Sequence, residues 1–194
     1  MARRTDTRAR MLHSAIALMQ RNGAAAVTVD AVLADSGAPR GSVYHHFSGG
    51  RDQIVSEALR NAGDLMTAMV VNGAQTSPLE AIETFVVFWT DMLVSSDYAH
   101  GCPVVAAAVS GAESSPDLQS TVEQIFTDWH VALTESLVAW GVDPARSEPL
   151  ASMVVASFEG ALVLARSRRS LTPLTDVAGE LRRIVADALP DTTA

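Results

Sequence analysis

At four places this chain sets a serine, threonine or aspartate directly before proline: Ser77-Pro78, Ser115-Pro116, Asp143-Pro144 and Thr172-Pro173. The side-chain oxygen can accept from the free N–H groups of a first helical turn, and proline fits there because the N–H it lacks has no partner in that turn. Each pair predicts a helix start. Ser77-Pro78-Leu79-Glu80 adds the reciprocal cap, with Glu80 placed to reach back to the cap residue. Beyond these starts apolar residues recur at spacings of three and four. Leu79, Ile82, Val86, Trp89 and Leu93 form one series, and Leu118, Val122, Ile125, Trp129, Leu133, Leu137 and Trp140 a second. Leu150, Val154, Phe158, Ala161 and Leu162 form a third, whose beginning Pro149 leaves open. Leu174, Val177, Leu181, Ile184 and Val185 form a fourth. Alternation with period two is absent, so the sequence predicts an all-α chain of about nine helices.

The N-terminal part is organised differently. Residues 8–22 read as one amphipathic helix ending near Asn22-Gly23. Thr28 is placed to cap a short helix, Val29–Ser36, which Gly37 ends in the left-handed conformation. Pro39 then opens a third helix running to Phe47, so three helices follow one another at helix-turn-helix spacing. At about 100° per residue, Val43 and Phe47 share a face that can bury against Ile16, Val29, Val32 and Leu33. Gly41, Ser42, Tyr44 and His45 lie opposite. A glycine inside a helix costs about 1 kcal/mol relative to alanine, and close approach of the backbone to a partner would explain it. Arg40, Ser42 and His45 can donate to base edges or phosphate, and the Tyr44 hydroxyl can pair with a phosphate. The competing reading is a three-helix packing unit with no DNA role.

Charge favours the first reading. The chain carries −8 overall, but in residues 1–60 eight arginines face Asp6, Asp30, Asp35, Asp52 and Glu57, a local +3, while the remainder carries −11. Phosphate binding draws on local charge, not on the total. The expected division is a helix-turn-helix DNA-binding domain over residues 1–50 and a ligand-binding and dimerisation domain over 51–194. Residues 51–71, with Ile54, Ala58, Leu59, Ala62 and Met66 on one side, form the connecting helix.

In the second domain Phe85, Phe88, Trp89, Met92, Phe126, Trp129, His130 and Phe158 are candidates to line an apolar pocket for a small-molecule effector, although each taken alone is more often an ordinary core residue. Gly160, Ala161 and Ala165 permit close helix approach. With Val154, Phe158, Leu181 and Ile184 they are candidates for a two-fold homodimer interface, the alternative being closure of the monomer core. Tight binding to a palindromic site requires two heads, which favours the dimer.

Other functions find little in the sequence. Glu159 interrupts the apolar run from Met153 to Ala165, and Ser110-Gly111 end the run from Cys102, so no stretch reads as a membrane span. Arg8, Arg10, His13 and Gln20 occupy the region where a secretory signal would be unbroken and apolar, so a cytoplasmic location is expected. Cys102 is the single cysteine, a packing residue or a redox sensor. His45 and His46 diverge too far on a helix to share a metal without further ligands. A small helical enzyme using His130, Glu159 or Ser110 would need a motif, and no nucleophile elbow, zinc-binding helix, phosphate loop or dinucleotide fingerprint occurs. No metal or cofactor is expected. A helical adaptor that does not bind DNA is the remaining alternative.

Thr28-Val29-Asp30-Ala31-Val32 and Ser36-Gly37-Ala38-Pro39-Arg40-Gly41-Ser42-Val43-Tyr44-His45-His46-Phe47 resemble the DNA-binding head of TetR-type regulators over about residues 8–60. The resemblance implies that Pro39–His46 is the recognition helix in the major groove of double-stranded operator DNA. It further implies phosphate contacts from Thr28, Tyr44 and Arg51, and an Arg3-Arg4 arm reaching the adjacent groove or backbone. Two departures stand out. Pro39 occupies a place where serine or threonine is common, and Ser48-Gly49-Gly50 lengthens the following loop by a residue. That loop, Gly101-Cys102-Pro103-Val104-Val105-Ala106-Ala107-Ala108 and Phe158-Glu159-Gly160-Ala161-Leu162 resemble the LmrA/YxaF branch of the family. This implies an aromatic or amphipathic effector and, by family habit, repression.

Overall fold

The computed structural model describes residues 2–73, 77–110 and 116–190, without the side chains of residues 2–6 and 110. Among the described residues every regular element is helical. Nine α-helices follow in order: α1 (Ala2–Asn22), α2 (Val29–Ser36), α3 (Val43–His46), α4 (Gly50–Gly73), α5 (Pro78–Ser95), α6 (Pro103–Ser110), α7 (Pro116–Ala139), α8 (Pro144–Arg168) and α9 (Thr172–Ala188). Short 3₁₀ turns precede α2 and α3.

The capping chemistry accounts for several boundaries. Ser77 Oγ accepts from Glu80 N at 3.0 Å to open α5, and Asp143 Oδ1 accepts from Ala145 N at 2.8 Å to open α8. Ser115, the expected cap of α7, lies outside the described residues. At α9 the expected cap is displaced: Thr172 is already helical, and Ser170 Oγ accepts from its N–H at 3.2 Å. Pro149 does not begin a helix, because α8 runs through it from Pro144.

The chain forms two compact units. One comprises Met1–Asp64 with Cys102–Ile125, the other Leu65–Gly101 with Phe126–Ala194. Helix α6 packs on α1 and so joins the N-terminal segment despite lying beyond residue 100. In this first unit Met11, Met19, Val32, Val43, Phe47 and Leu59 are wholly removed from water, each worth about 1.5–3 kcal/mol of apolar burial. Close packing fixes Gly63 of α4, where a β-carbon would sit 2.8 Å from Ile125 Cγ2.

In the second unit α9 packs on both α8 and α5. Helix α8, at 25 residues and with a mean hydropathy of 1.4 over its most apolar stretch, is long and apolar enough by composition to cross a membrane. Its apolar residues nonetheless have an internal destination: Leu150, Ala151, Val154, Phe158, Ala161 and Leu162 are buried in the chain's own core. That burial is what a core helix of a folded domain requires.

One corner of this unit concentrates backbone strain. Asp97, Tyr98 and Arg169 are the non-glycine residues with positive φ (51°, 60° and 49°) among those described. Arg169 ends α8 and holds the corner together, donating to Asp97 Oδ1 at 2.5 Å and to the Asp97 carbonyl at 3.1 Å. Its guanidinium carbon lies 5.9 Å from the centre of the Tyr98 ring. Arg166 donates to the Ala99 carbonyl at 2.8 Å and lies so close to Gly101 that a β-carbon there would stand 2.7 Å from Nη1. The hydrogen bond from Arg169, reinforced by its charge, holds the Asp97 carboxyl below the usual carboxylate range.

Candidate nucleic-acid interface and cavity

The helix-turn-helix is assembled from local hydrogen bonds. Thr28 Oγ1 accepts from Ala31 N at 3.1 Å and opens α2, Gly37 ends it at φ 63°, and Ser36 Oγ accepts from Ala38 N at 3.2 Å in the turn. The third helix is shorter than its sequence predicts. Pro39 is extended (ψ 137°), Arg40–Ser42 form a 3₁₀ turn, and only Val43–His46 are α-helical. Proline's ring leaves its own ψ free to stay extended, and the Ser42 hydroxyl holds the turn by donating to the Pro39 carbonyl at 2.6 Å.

Val43 and Phe47 are wholly buried, as their spacing requires, and Phe47 is held from above by Arg8, whose guanidinium carbon lies 5.0 Å from the ring centre. Arg8 also pairs with Glu57, which accepts from Gln53 Nε2 at 2.9 Å, and Gln53 Oε1 in turn accepts from Gly49 N at 2.9 Å. This chain of contacts ties down the loop of residues 48–50. Opposite the buried face stand Arg40, Gly41, Tyr44 and His45, all exposed, with Ser42 half-buried. The Tyr44 side chain is 69% exposed, large for an aromatic residue with no apolar cover. Arg40, with a side chain 87% exposed, lies 3.2 Å from Asp30 Oδ1, an exposed pair that water screens. A β-carbon on Gly41 would meet nothing within 4 Å, so the chain's own packing does not require glycine there.

Two of the residues inherited from the family resemblance are occupied internally. Thr28 Oγ1 is the cap of α2. Arg51 directs Nε to the Val27 carbonyl at 2.7 Å, Nη2 to the Ala24 carbonyl at 2.9 Å and Nη1 to Asp52 at 3.2 Å, clamping the 3₁₀ turn before α2 onto the start of α4. The side chains of Arg3 and Arg4 lie outside the described residues.

The second unit contains an open, largely apolar cavity. Met66, Met69 and Val70 of α4 form one wall, and Pro78, Ala81, Ile82 and Phe85 of α5 another. Trp129, Leu133, Ser136 and Leu137 come from α7, and Val154, Val155, Phe158 and Glu159 from α8. Of the eight residues proposed for a pocket, Phe85, Trp129 and Phe158 line it. Phe88, Trp89, Met92, Phe126 and His130 do not. The reason is position along the helix axis: the cavity spans the first two turns of α5, and Phe88, Trp89 and Met92 lie beyond them. Trp89 is a core residue, 2% exposed and edge-on to Phe88 at 5.3 Å between ring centres. His130 joins helices, its Nε2 donating to the Glu148 carbonyl at 3.0 Å. The lining contribution of α4 was missed, although Met66, Met69 and Val70 continue its apolar spacing of three and four.

The residues selected for a dimer interface are mostly spent inside the chain. Val154, Phe158, Ala161, Ala165 and Leu181 are buried in this single copy, and Ile184 is half-buried. Gly160 is exposed, and it belongs to an outward stripe of α8 that includes Ser152, Ala156, Val163, Leu164 and Ser167.

Comparison with known proteins agrees with this architecture. Residues 11–58 match the model for bacterial regulatory proteins of the tetR family, and residues 78–180 match that for the LmrA/YxaF-like transcriptional regulator C-terminal domain. The chain is 38% identical over 189 residues to the HTH-type transcriptional regulator Rv0196 of Mycobacterium tuberculosis, covering 95% of this chain and 96% of that protein. It is 27% identical over 187 residues to YxaF of Bacillus subtilis, covering 95% and 98%. The crystal structure of a TetR transcriptional regulator from Legionella pneumophila has a TM-score of 0.79 at 21% identity, over 93% of this chain and 96% of that one. The chain belongs to the TetR family of bacterial transcriptional regulators. Within that family it falls in the LmrA/YxaF-like branch, a group named for regulators and not for enzymes.

Proposed function

We propose that this regulator is a cytoplasmic homodimeric repressor that holds a partly palindromic operator and releases it when a small amphipathic or aromatic effector enters the cavity. The observation that carries this reading is α4. That helix opens at Gly50, directly after the helix-turn-helix, and its last turns supply Met66, Met69 and Val70 to the cavity wall. An effector that displaces the cavity end of α4 tilts a helix continuous with the head and alters the distance between the two recognition helices of a dimer. Operator and effector then weaken one another equally, because each favours a different head spacing.

Arg40, Gly41, Ser42, Tyr44 and His45 form the surface that enters the groove, with Arg3 and Arg4 reaching beside it. The second copy packs on the outward stripe of α8, where Ala156, Gly160, Val163 and Leu164 are exposed without any apolar cover in a single chain. A gel-shift titration with DNA from the gene's own upstream region, at two salt concentrations and against unrelated competitor, tests the reading. A competitor-resistant, salt-sensitive shift is expected, and Arg40→Ala weakens it by about 1–3 kcal/mol. Failure to select any sequence from a random pool would sink the assignment of DNA reading to this surface.

A further inference from the structure

Four arginines of the first unit stand opposite a carboxylate: Arg8 with Glu57, Arg21 with Asp35 at 3.1 Å, Arg40 with Asp30 at 3.2 Å and Arg51 with Asp52 at 3.2 Å. Three of the four also brace the fold. Arg8 covers the Phe47 ring, Arg21 directs Nε to the Ala17 carbonyl at 3.2 Å, and Arg51 grips the carbonyls of Ala24 and Val27. Arg40 braces nothing: among the described residues it meets Asp30 alone, and its side chain is 87% exposed.

Asp30 is an unexpected neighbour for a residue that meets DNA. It lies in the first turn of α2 with its side chain 77% exposed. The first helix of a helix-turn-helix crosses the phosphate backbone, which repels a carboxylate. The helix dipole favours an acid in this turn whichever way it faces, whereas here it faces Arg40. A guanidinium carries five N–H donors in a rigid plane. Asp30 engages the Nη2 end of that plane, which orients it and leaves the remaining donors to a ligand. An unrestrained arginine turns to any phosphate it meets, on any sequence. One held by a carboxylate loses less freedom on reaching a base edge, and must break an ion pair to turn wholly to phosphate. Water screens the pair in the free protein, and a groove that closes over it removes that screening.

We propose that Asp30 is a positioning residue that sets sequence specificity: it withholds Arg40 from phosphate and presents it to a guanine edge, whose O6 and N7 accept two parallel N–H bonds. The inference rests on the assignment of DNA reading to the surface of Arg40–His45, and the test separates the two. The full-length protein selects a duplex from a random-sequence pool. That duplex and its scrambled counterpart are then titrated by fluorescence anisotropy at several salt concentrations. Asp30→Asn is expected to bind the scrambled duplex more tightly, with a salt slope steeper by about one, because Arg40 is freed for phosphate. The ratio of selected to scrambled affinity should fall by about tenfold in Asp30→Asn, recover in Asp30→Glu, and ignore Asp30→Asn once Arg40→Ala is present. Because the ratio compares two duplexes on one protein, any loss of α2 stability cancels from it. A ratio that Asp30→Asn leaves unchanged, or lowers equally in the Arg40→Ala background, overturns the role of Asp30, while a weakened selected complex in Arg40→Ala keeps the DNA-reading surface. If the natural protein selects no duplex, or Arg40→Ala alters neither affinity, the surface itself is misassigned and the inference falls with it.

Discussion

Arg51 occupies a position where the family resemblance implies a phosphate contact, yet its donors are directed to the carbonyls of Ala24 and Val27 and to Asp52. Hydrogen bonds from a charged donor to backbone are worth about 1.5–3 kcal/mol each, less here because the side chain is 39% exposed. Arg51→Ala should therefore lower the melting temperature of the protein, with Arg51→Lys no better, since an ammonium cannot span both carbonyls. Unchanged melting with weakened operator binding would return Arg51 to the DNA surface. Gly41 gives the opposite pattern. Its missing side chain serves no contact within the chain, so Gly41→Ala should leave thermal stability intact and weaken the operator complex if the backbone approaches a groove at that point. Equal operator affinity for both proteins would show that Gly41 stands clear of the DNA.

At the scale of elements, the ends of helices were more legible than their interiors. Ser77, Thr28 and Asp143 announce their helices because capping is local chemistry, requiring only an oxygen a few atoms from the N–H groups it serves. The break of the expected third helix into a 3₁₀ turn was not legible, since Pro39 is compatible with either a helical or an extended ψ. Membership of the cavity was legible only in part. Periodicity assigns Phe85 and Trp89 to one face of α5, but whether that face meets a void or packed side chains depends on where along its length α5 is covered. The corner between the end of α5 and the end of α8 left no periodic signal at all, because it is built from irregular backbone held by Arg166 and Arg169. Its contribution has a defined pH dependence. The Asp97 carboxyl is held below its ordinary pKa in the folded chain, so its stabilisation is complete at neutral pH and is lost as pH falls through that lowered value, below about 4. Asp97→Asn should flatten the acid limb of stability against pH. An unaltered limb would mean that the Arg169 pair is too exposed to contribute.

On the scale of the whole molecule, the fold class and the helix-turn-helix segment were both legible, the second because buried Val43 and Phe47 could be separated from exposed Tyr44 and His45 by helical spacing alone. The surface proposed here for the dimer was not. Small and apolar residues of α8 look alike in sequence whether they close a core, as Ala161 and Ala165 do, or face outward, as Gly160 and Leu164 do. Leu164→Asp should consequently yield a folded monomer by light scattering, with operator affinity reduced because one head must bind alone. A dimer that survives this change would place the interface elsewhere.

The composition of the first unit from two stretches of chain, Met1–Asp64 and Cys102–Ile125, bears on how such regulators diversify. A single recombination near residue 64 transfers the helix-turn-helix to a new body but leaves behind α6, whose Val104 and Ala107 are buried. The chimaera inherits a foreign partner for α1. An exchange of whole heads keeps α1 together with its own α6 only if a second crossover carries residues 102–125 along.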